Sequence, residues 1–292
     1  MEKTKQEKIT CGFWLYSSVH NKPDTASSRI RGQWLMKYWN EAEELHYGRK
    51  YDAIIFQKVY EIDYAKIFNG VKILDICDPD YSDKTIRFME MVEACDIVTV
   101  STEALRKVIQ NWTKKPVIVI PDRHDLEFFK EKKIHNGIAK EVCWYGYSHN
   151  AGSLRSLKDL LIKYNIRLSM ISDEPITISD ELKPVDERWT KWQLETINQE
   201  IIKSDFVVMP GSRDPNSRFK SNNKTINANL LHMPVATSVE EFERFIDPDE
   251  RQKEADEKYE IAVKNYDVRL SVQEMKDIIS KIQKVKIKEK LN

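Results

Sequence analysis

Residues 204–238, SDFVVMPGSRDPNSRFKSNNKTINANLLHMPVATS, decide how the chain is read. Phe206-Val207-Val208-Met209 is an unbroken apolar run of strand length, and Pro210-Gly211 stops it. A polar loop with Arg213, Arg218 and Lys220 follows. Ser221, Asn222 and Asn223 are capping residues, and Ile226, Leu230 and Leu231 recur at helical spacing, which predicts a helix with Lys224 in its first turn. Met233-Pro234 ends that helix, and Val235-Ala236-Thr237 reads as the next strand. A cationic loop feeding a helix N-terminus between two parallel strands suits an anion, because free N–H groups and the positive end of the helix dipole converge there. Phosphate is the natural candidate.

The same alternation runs outward in both directions. Ile9–Leu15, Asp52–Gln57, Val71–Cys77, Ile97–Ser101 and Pro116–Ile120 are near-continuous apolar runs, as buried parallel strands are, with helical spacing between them. Ile30, Trp34, Leu35 and Tyr38 mark one such helix, and Ile86 to Cys95 another. The charged segment 130–141 lacks periodicity and reads as a linker. A second series then opens with Val142–Gly146, a helix through Leu154, Leu157, Leu161 and Tyr164, the strand Arg167–Ile171 and a helix through Ile197 and Ile201. This is the pattern of doubly wound α/β domains, whose ligands sit beyond the carboxyl ends of the strands. The expected division is 1–135, 136–268 and a C-terminal helix and tail at 269–292, for which packing back on the first domain is one option. Ser271-Val-Gln-Glu274 reads as a capping box for that last helix.

A chain of 292 residues is long for one core and comfortable for two. Its 47 basic and 47 acidic residues cancel, so no global charge draws it to nucleic acid or anionic lipid. Cys11, Cys77, Cys95 and Cys143 show no C-x-x-C spacing and read as buried free thiols of a reducing compartment. The N-terminus lacks a signal-like apolar core, and no run is long enough to span a bilayer. The expectation is a cytoplasmic protein without a transmembrane segment, reaching any membrane-bound acceptor peripherally.

The order strand, loop, Lys224, helix, Pro234-Val235 resembles the donor-binding segment of GT-B glycosyltransferases. Where many retaining members carry a Glu-x7-Glu pattern, this chain has Phe219 and Asn227; Lys224 fits a smaller group that keeps a Lys ten positions before the Pro. DIVTVSTEALRKVI at 96–109 and PVIVIPDRHDLEFF at 116–129 are similar to the end of the N-terminal GT-B domain, with Asp122, Arg123 and His124 in place of the usual Asn, Gly and Val. Ser27–Gly32 resembles the loop-to-helix entry after the first strand. The resemblance implies an α/β protein of the GT-B type, two Rossmann-like domains facing a central cleft, that moves a sugar from a nucleotide donor to an acceptor hydroxyl.

On that resemblance the donor would contact Gly146, Tyr147, Ser148 and Asn150 in the loop after the second domain's first strand. Ser172, Asp173 and Gly211 would lie beside the nucleoside, and Arg218, Lys220, Ser221 and Lys224 would neutralise the diphosphate. His149 is the best placed histidine, with His20 and His124 also in strand-end loops. Asp78-Pro79-Asp80 follows the strand Val71–Cys77; Asp78 is the candidate base, Asp80 an acceptor ligand, and Asp-Pro turn chemistry the plainer reading. Arg29 and Arg31, basic residues in a first helical turn, either answer an anion nearby, which would put them on the acceptor side, or are a pair of solvated arginines. No cofactor and no catalytic metal are expected, only a UDP- or GDP-linked sugar as co-substrate. The acceptor is open between a surface saccharide or lipid-linked glycan, a small molecule and a modified base in DNA. A nucleotide-sugar-binding protein without catalysis and an epimerase of the same architecture are the competing functions. Oligomeric state is not legible.

Overall fold

A computed structural model describes residues 8–23, 25–180, 184–211 and 215–291. The chain divides into two units: residues 1–125, 218–221 and 266–292 make the first, and 126–217 and 222–265 the second.

In the first unit the apolar runs become a parallel sheet of β1 (Cys11–Leu15), β2 (Ala42–Glu44), β3 (Ala53–Gln57), β4 (Val71–Ile76), β5 (Ile97–Val100) and β6 (Val117–Val119), in the order β2-β1-β3-β4-β5-β6. After β1 the chain moves to one side to form β2 and then crosses to the other to form β3. The point where the order reverses therefore lies between β1 and β3. Between the strands run α1 (Tyr16–Val19), α2 (Ala26–Ser28), α3 (Trp34–Tyr38), α4 (Ile62–Ile67), α5 (Phe88–Ala94) and α6 (Glu103–Gln110). Ile54, Phe56, Leu74, Ile76, Val98 and Val100 from the strands pack on Ile62, Met91, Val92, Leu105 and Ile109 from the helices. The helix expected from Ile30 begins earlier, at Ala26, and continues through a wide π-type turn, Arg29–Gln33, before α3. Gly32 lets that turn close on β1: a Cβ there would stand 2.3 Å from a Leu15 methyl.

The second unit repeats the plan with β7 (Glu141–Tyr145), β8 (Arg167–Ser172), β9 (Glu187–Lys191), β10 (Phe206–Val208) and β11 (Val235–Ala236) in the parallel order β11-β10-β7-β8-β9. Here the reversal falls between β7 and β10. The helix expected after β7 starts as a 3-10 segment, Ser148–Leu157, and becomes α7 (Lys158–Tyr164), which Asn165 terminates in the left-handed conformation at φ 52°. Then come α8 (Ile197–Ile202), α9 (Asn223–Leu230), α10 (Val239–Arg244) and α11 (Pro248–Asn265). Arg251 is fully buried and donates to the carbonyls of Phe245, Ile246 and Gly137, answering acceptors that the end of α10 leaves open. The segment read as a linker is thereby part of this unit's packing.

The last helix, α12 (Val268–Leu291), belongs to the first unit, where it packs against α3 and β4. It starts three residues before the expected cap. Ser271 and Glu274 sit inside the helix and both bind Arg123, with Glu274 at 2.8 and 2.9 Å, so the pair forms a tether and not a capping box. All four cysteines are buried and free, and burial raises the Cys95 and Cys143 thiols to about 12. No described helix is long and apolar enough to cross a membrane.

Candidate functional site

In the second unit the switch point between β7 and β10 is occupied by Gly146, at the end of β7, and Lys224, in the first turn of α9. An added Cβ at Gly146 would stand 2.3 Å from Lys224 Nζ, so the ammonium lies directly on the glycine. The Nζ also lies 5.4 Å from the centroid of the Trp144 ring, and the Tyr145 hydroxyl donates to the Lys224 carbonyl. Lysine, glycine and helix start are thus locked together by β7 itself. The loop beyond Gly146 is pinned by the Ser148 amide, which donates to Asp173 Oδ1 at 2.7 Å and holds that carboxylate below its usual range. Tyr147 stacks on His149 at 5.6 Å, both exposed, and the Asn150 amide meets His149 Nε2 at 3.0 Å. A helix N-terminus, a glycine without a side chain to obstruct approach and a fixed cation make a seat for an anion. One turn on from Lys224, Asn227 Oδ1 is buried with no hydrogen-bond partner among the described residues.

In the first unit a pocket of about 680 Å³ opens beyond the carboxyl ends of β1, β3 and β4. Lys58 is its centre. It directly follows β3 and takes the left-handed conformation at φ 55°, an unfavourable one for a lysine. Its Nζ lies 2.6 Å from Asp78 Oδ2, 3.3 Å from Asp80 Oδ1 and 5.4 Å from the Tyr16 ring centroid. The Tyr60 hydroxyl donates to Asp80 Oδ2 at 2.6 Å, and His20 packs on Tyr16 at 4.2 Å. Burial opposes the Lys58 charge, yet Asp80 and Asp78 outweigh it and hold the ammonium above the usual lysine range. Burial in turn lifts the Asp80 carboxyl above its ordinary value, against the pull of Lys58. Asp78 is the more open of the two, with 37% of its side chain exposed against 10% for Asp80. Lys58 and Tyr60 were not anticipated; the signal was available in their position, one and three residues past the end of a strand.

Other expected residues are placed differently. The anion that Arg31 answers is the protein's own: its guanidinium is buried, bonded to both oxygens of Asp75 and to Asp122 and the Ile120 carbonyl. Arg29 is buried too, with its guanidinium 5.7 Å from the Trp34 ring. Neither arginine is open to an acceptor. His124 is fully buried under Trp34, and burial pushes it down to about 4, so it is a neutral core residue. Ser172 is buried, donating to the Glu174 carbonyl and accepting from Trp189 Nε1. Arg218, Lys220 and Ser221 group with the first unit, where Phe219 enters the core and accepts a hydrogen bond from Thr102 at its carbonyl. Ser221 there donates to Asp122, and the Arg218 guanidinium covers the Phe219 ring. Gly211 is exposed with open space around it. Arg213 lies outside the described residues.

No protein-family model and no curated protein matches the sequence. Likeness appears among solved structures. An α-glucosyltransferase in complex with UDP and a 13-mer DNA containing a HMU base is similar with a TM-score of 0.67 at 11% identity, over 94% of this chain and 100% of that one. Anabaena Alr3699/HepE, in complex with UDP and glucose, gives 0.60 at 14% identity over 79% and 78%. TarM gives 0.59 at 11% identity over 78% of this chain and 54% of its own, so the chain spans about half the length of TarM. At these identities the likeness is one of fold, and two doubly wound parallel units of this kind make the chain a GT-B glycosyltransferase-like fold.

Proposed function

We propose that the chain transfers a sugar from a nucleotide-sugar donor to an acceptor hydroxyl, with the second unit holding the diphosphate and the first unit's pocket the acceptor. The observation that carries this reading is the Lys224 ammonium seated on Gly146 at the switch point of the second unit. A leaving nucleoside diphosphate gains negative charge as the glycosidic bond breaks, and a cation already fixed at a helix start stabilises it without reorganisation. Ser148, Asn150 and Asp173 then line the same loop, with Tyr147 and His149 exposed above it. The base of the donor is UDP or GDP in this proposal; the neighbours that contain UDP favour the former.

Asp78 is assigned as the acceptor base. It is the more exposed of the two carboxylates that Lys58 bridges, and it is held at one oxygen by Lys58, where a bound metal would otherwise have to balance paired carboxylates. Metal-independent transfer follows as a proposal, tested by turnover in EDTA.

The deciding experiment is a thermal-shift series with UDP, GDP and their sugars, coupled to release of free nucleoside diphosphate. Stabilisation by a nucleotide that disappears in Lys224→Ala, with slow nucleotide release, supports transfer. A second reading, binding without catalysis, is favoured by Asn227 standing where retaining relatives carry a carboxylate; stabilisation without any release would select it. Interconversion of the donor sugar with no acceptor present would select an epimerase.

A further inference from the structure

The pocket in the first unit carries a charge that selects what enters it; this inference rests on the proposal that the pocket takes the acceptor. Among the described residues its lining includes Glu61, Asp63, Asp78, Asp80 and Asp83 against Lys58 and Arg87. Both cations are already engaged: Lys58 bridges Asp78 and Asp80, and Arg87 pairs with Glu90 on the rim helix α5. Glu61 and Asp63 stand exposed, and Asp83 accepts from the Thr85 amide and hydroxyl. The surface offered to a ligand is therefore rich in hydrogen-bond acceptors, and its potential is negative.

Carboxylates accept and do not donate, so they are complementary to hydroxyl and amine groups. A phosphate, sulfate or uronate brought up against such a group is repelled even in water, and more strongly inside a cleft. The sign is the reverse of what a polyphosphate backbone needs, since nucleic-acid binding is dominated by cationic contacts to phosphate. Aromatic surface is present as well, in the tilted pair Tyr16 and His20 and in Tyr60. We infer that the acceptor portion entering this pocket is a saccharide without negative charge, uncharged or amine-bearing, and that DNA is excluded from it even though a DNA-bound enzyme shares the fold.

The test is binding of the full chain to an array of immobilised oligosaccharides spanning uncharged, amine-bearing, uronate and sulfated classes, with a 13-mer DNA duplex on the same surface. The expected result is at least tenfold stronger retention on uncharged or amine-bearing saccharides than on anionic ones or DNA. Glu61→Lys combined with Asp63→Lys, both at exposed positions, should cut that ratio at least tenfold. Equal or stronger retention on anionic probes, no retention on any probe, or a ratio untouched by the charge reversal would each overturn the inference. UDP-induced thermal stabilisation, read on the same samples, reports on the transfer reading separately. If it is present while the array result fails, only the acceptor class is lost. If it is absent while selective retention holds, the saccharide pocket stands and the transfer reading falls.

Discussion

Arg31 and Asp75 form a two-bond clasp in the interior of the first unit, Nε to Oδ2 at 2.7 Å and Nη2 to Oδ1 at 2.6 Å. Thr99 supplies a further donor to Asp75 at 2.6 Å, and Asp122 takes the remaining Arg31 nitrogen at 2.7 Å. Every member is buried, so the network is a structural unit in which one guanidinium is shared by two carboxylates.

Removing one partner strands the others. Arg31→Ala should destabilise the first unit by about 3 to 5 kcal/mol, because Asp75 and Asp122 would remain buried without their cation. Arg31→Lys should recover little, since one ammonium cannot reproduce a planar fork shared by two carboxylates and a carbonyl. Urea unfolding followed by tryptophan fluorescence measures this, and an unchanged midpoint in Arg31→Ala would count against the network.

Gly146→Ala makes a sharper test of the donor seat than deletion of the lysine. The new methyl would displace Lys224 Nζ, the far end of a flexible side chain, and would press on the Trp144 ring at 3.1 Å. The fold should tolerate it with a loss of about 1 to 3 kcal/mol. Nucleotide affinity should fall by at least tenfold, close to the effect of Lys224→Ala, and the double variant should be no worse than either single one. Isothermal titration with UDP decides; fully additive losses would show that the two residues act separately.

What the sequence made legible follows from where the physics is local. Apolar runs such as Ala53–Gln57, Gly146 at a strand end and Lys224 at a helix start depend on strand length, helix starts and order along the chain, and those can be read from one sequence; the contact between Gly146 and Lys224 cannot. The edge strands β2, AEE, and β9, ERWTK, carry too little apolar signal to stand out, since only one neighbour pairs with each. Arg29 and Arg31 look like surface cations in a first helical turn. Their burial depends on the π-type turn and on Asp75 and Asp122, which lie 44 and 91 positions from Arg31. Lys58 is marked in the sequence only by its place one residue past a strand; the left-handed conformation it takes there leaves no mark in composition.

Lys58→Met should expose that role. Without the ammonium, Asp78 and Asp80 would face each other uncompensated, and Asp80, already raised by burial, would hold its proton to still higher pH. Asp78→Asn should lower kcat by roughly 10² to 10⁴, the range of a lost general base, with donor KM little changed. Lys58 acts through the two carboxylates, so Lys58→Met should shift the acid limb of the pH–rate profile upward as well as lower the rate. An unmoved pH profile in Lys58→Met would leave Lys58 a purely structural residue.

Acid sensitivity of the first unit should trace to His124. Burial pushes its imidazole down to about 4, whereas in the unfolded chain it titrates near 6.5. Between those values the unfolded state binds a proton that the folded state refuses, so stability rises with pH across this window and is lost as pH falls from about 6.5 toward 4. The difference amounts to a contribution on the order of 3 kcal/mol, fully present above the window. His135 in the second unit is lowered to about 4 in the same way, by burial against its bond to the His232 carbonyl, and it adds a slope of the same sign there. His124→Gln, which cannot be protonated, should flatten the first unit's dependence between pH 6.5 and 4 and leave the contribution of His135 in place. Urea midpoints at half-unit pH steps measure both slopes, and an identical slope in His124→Gln and the parent chain would assign the acid sensitivity elsewhere.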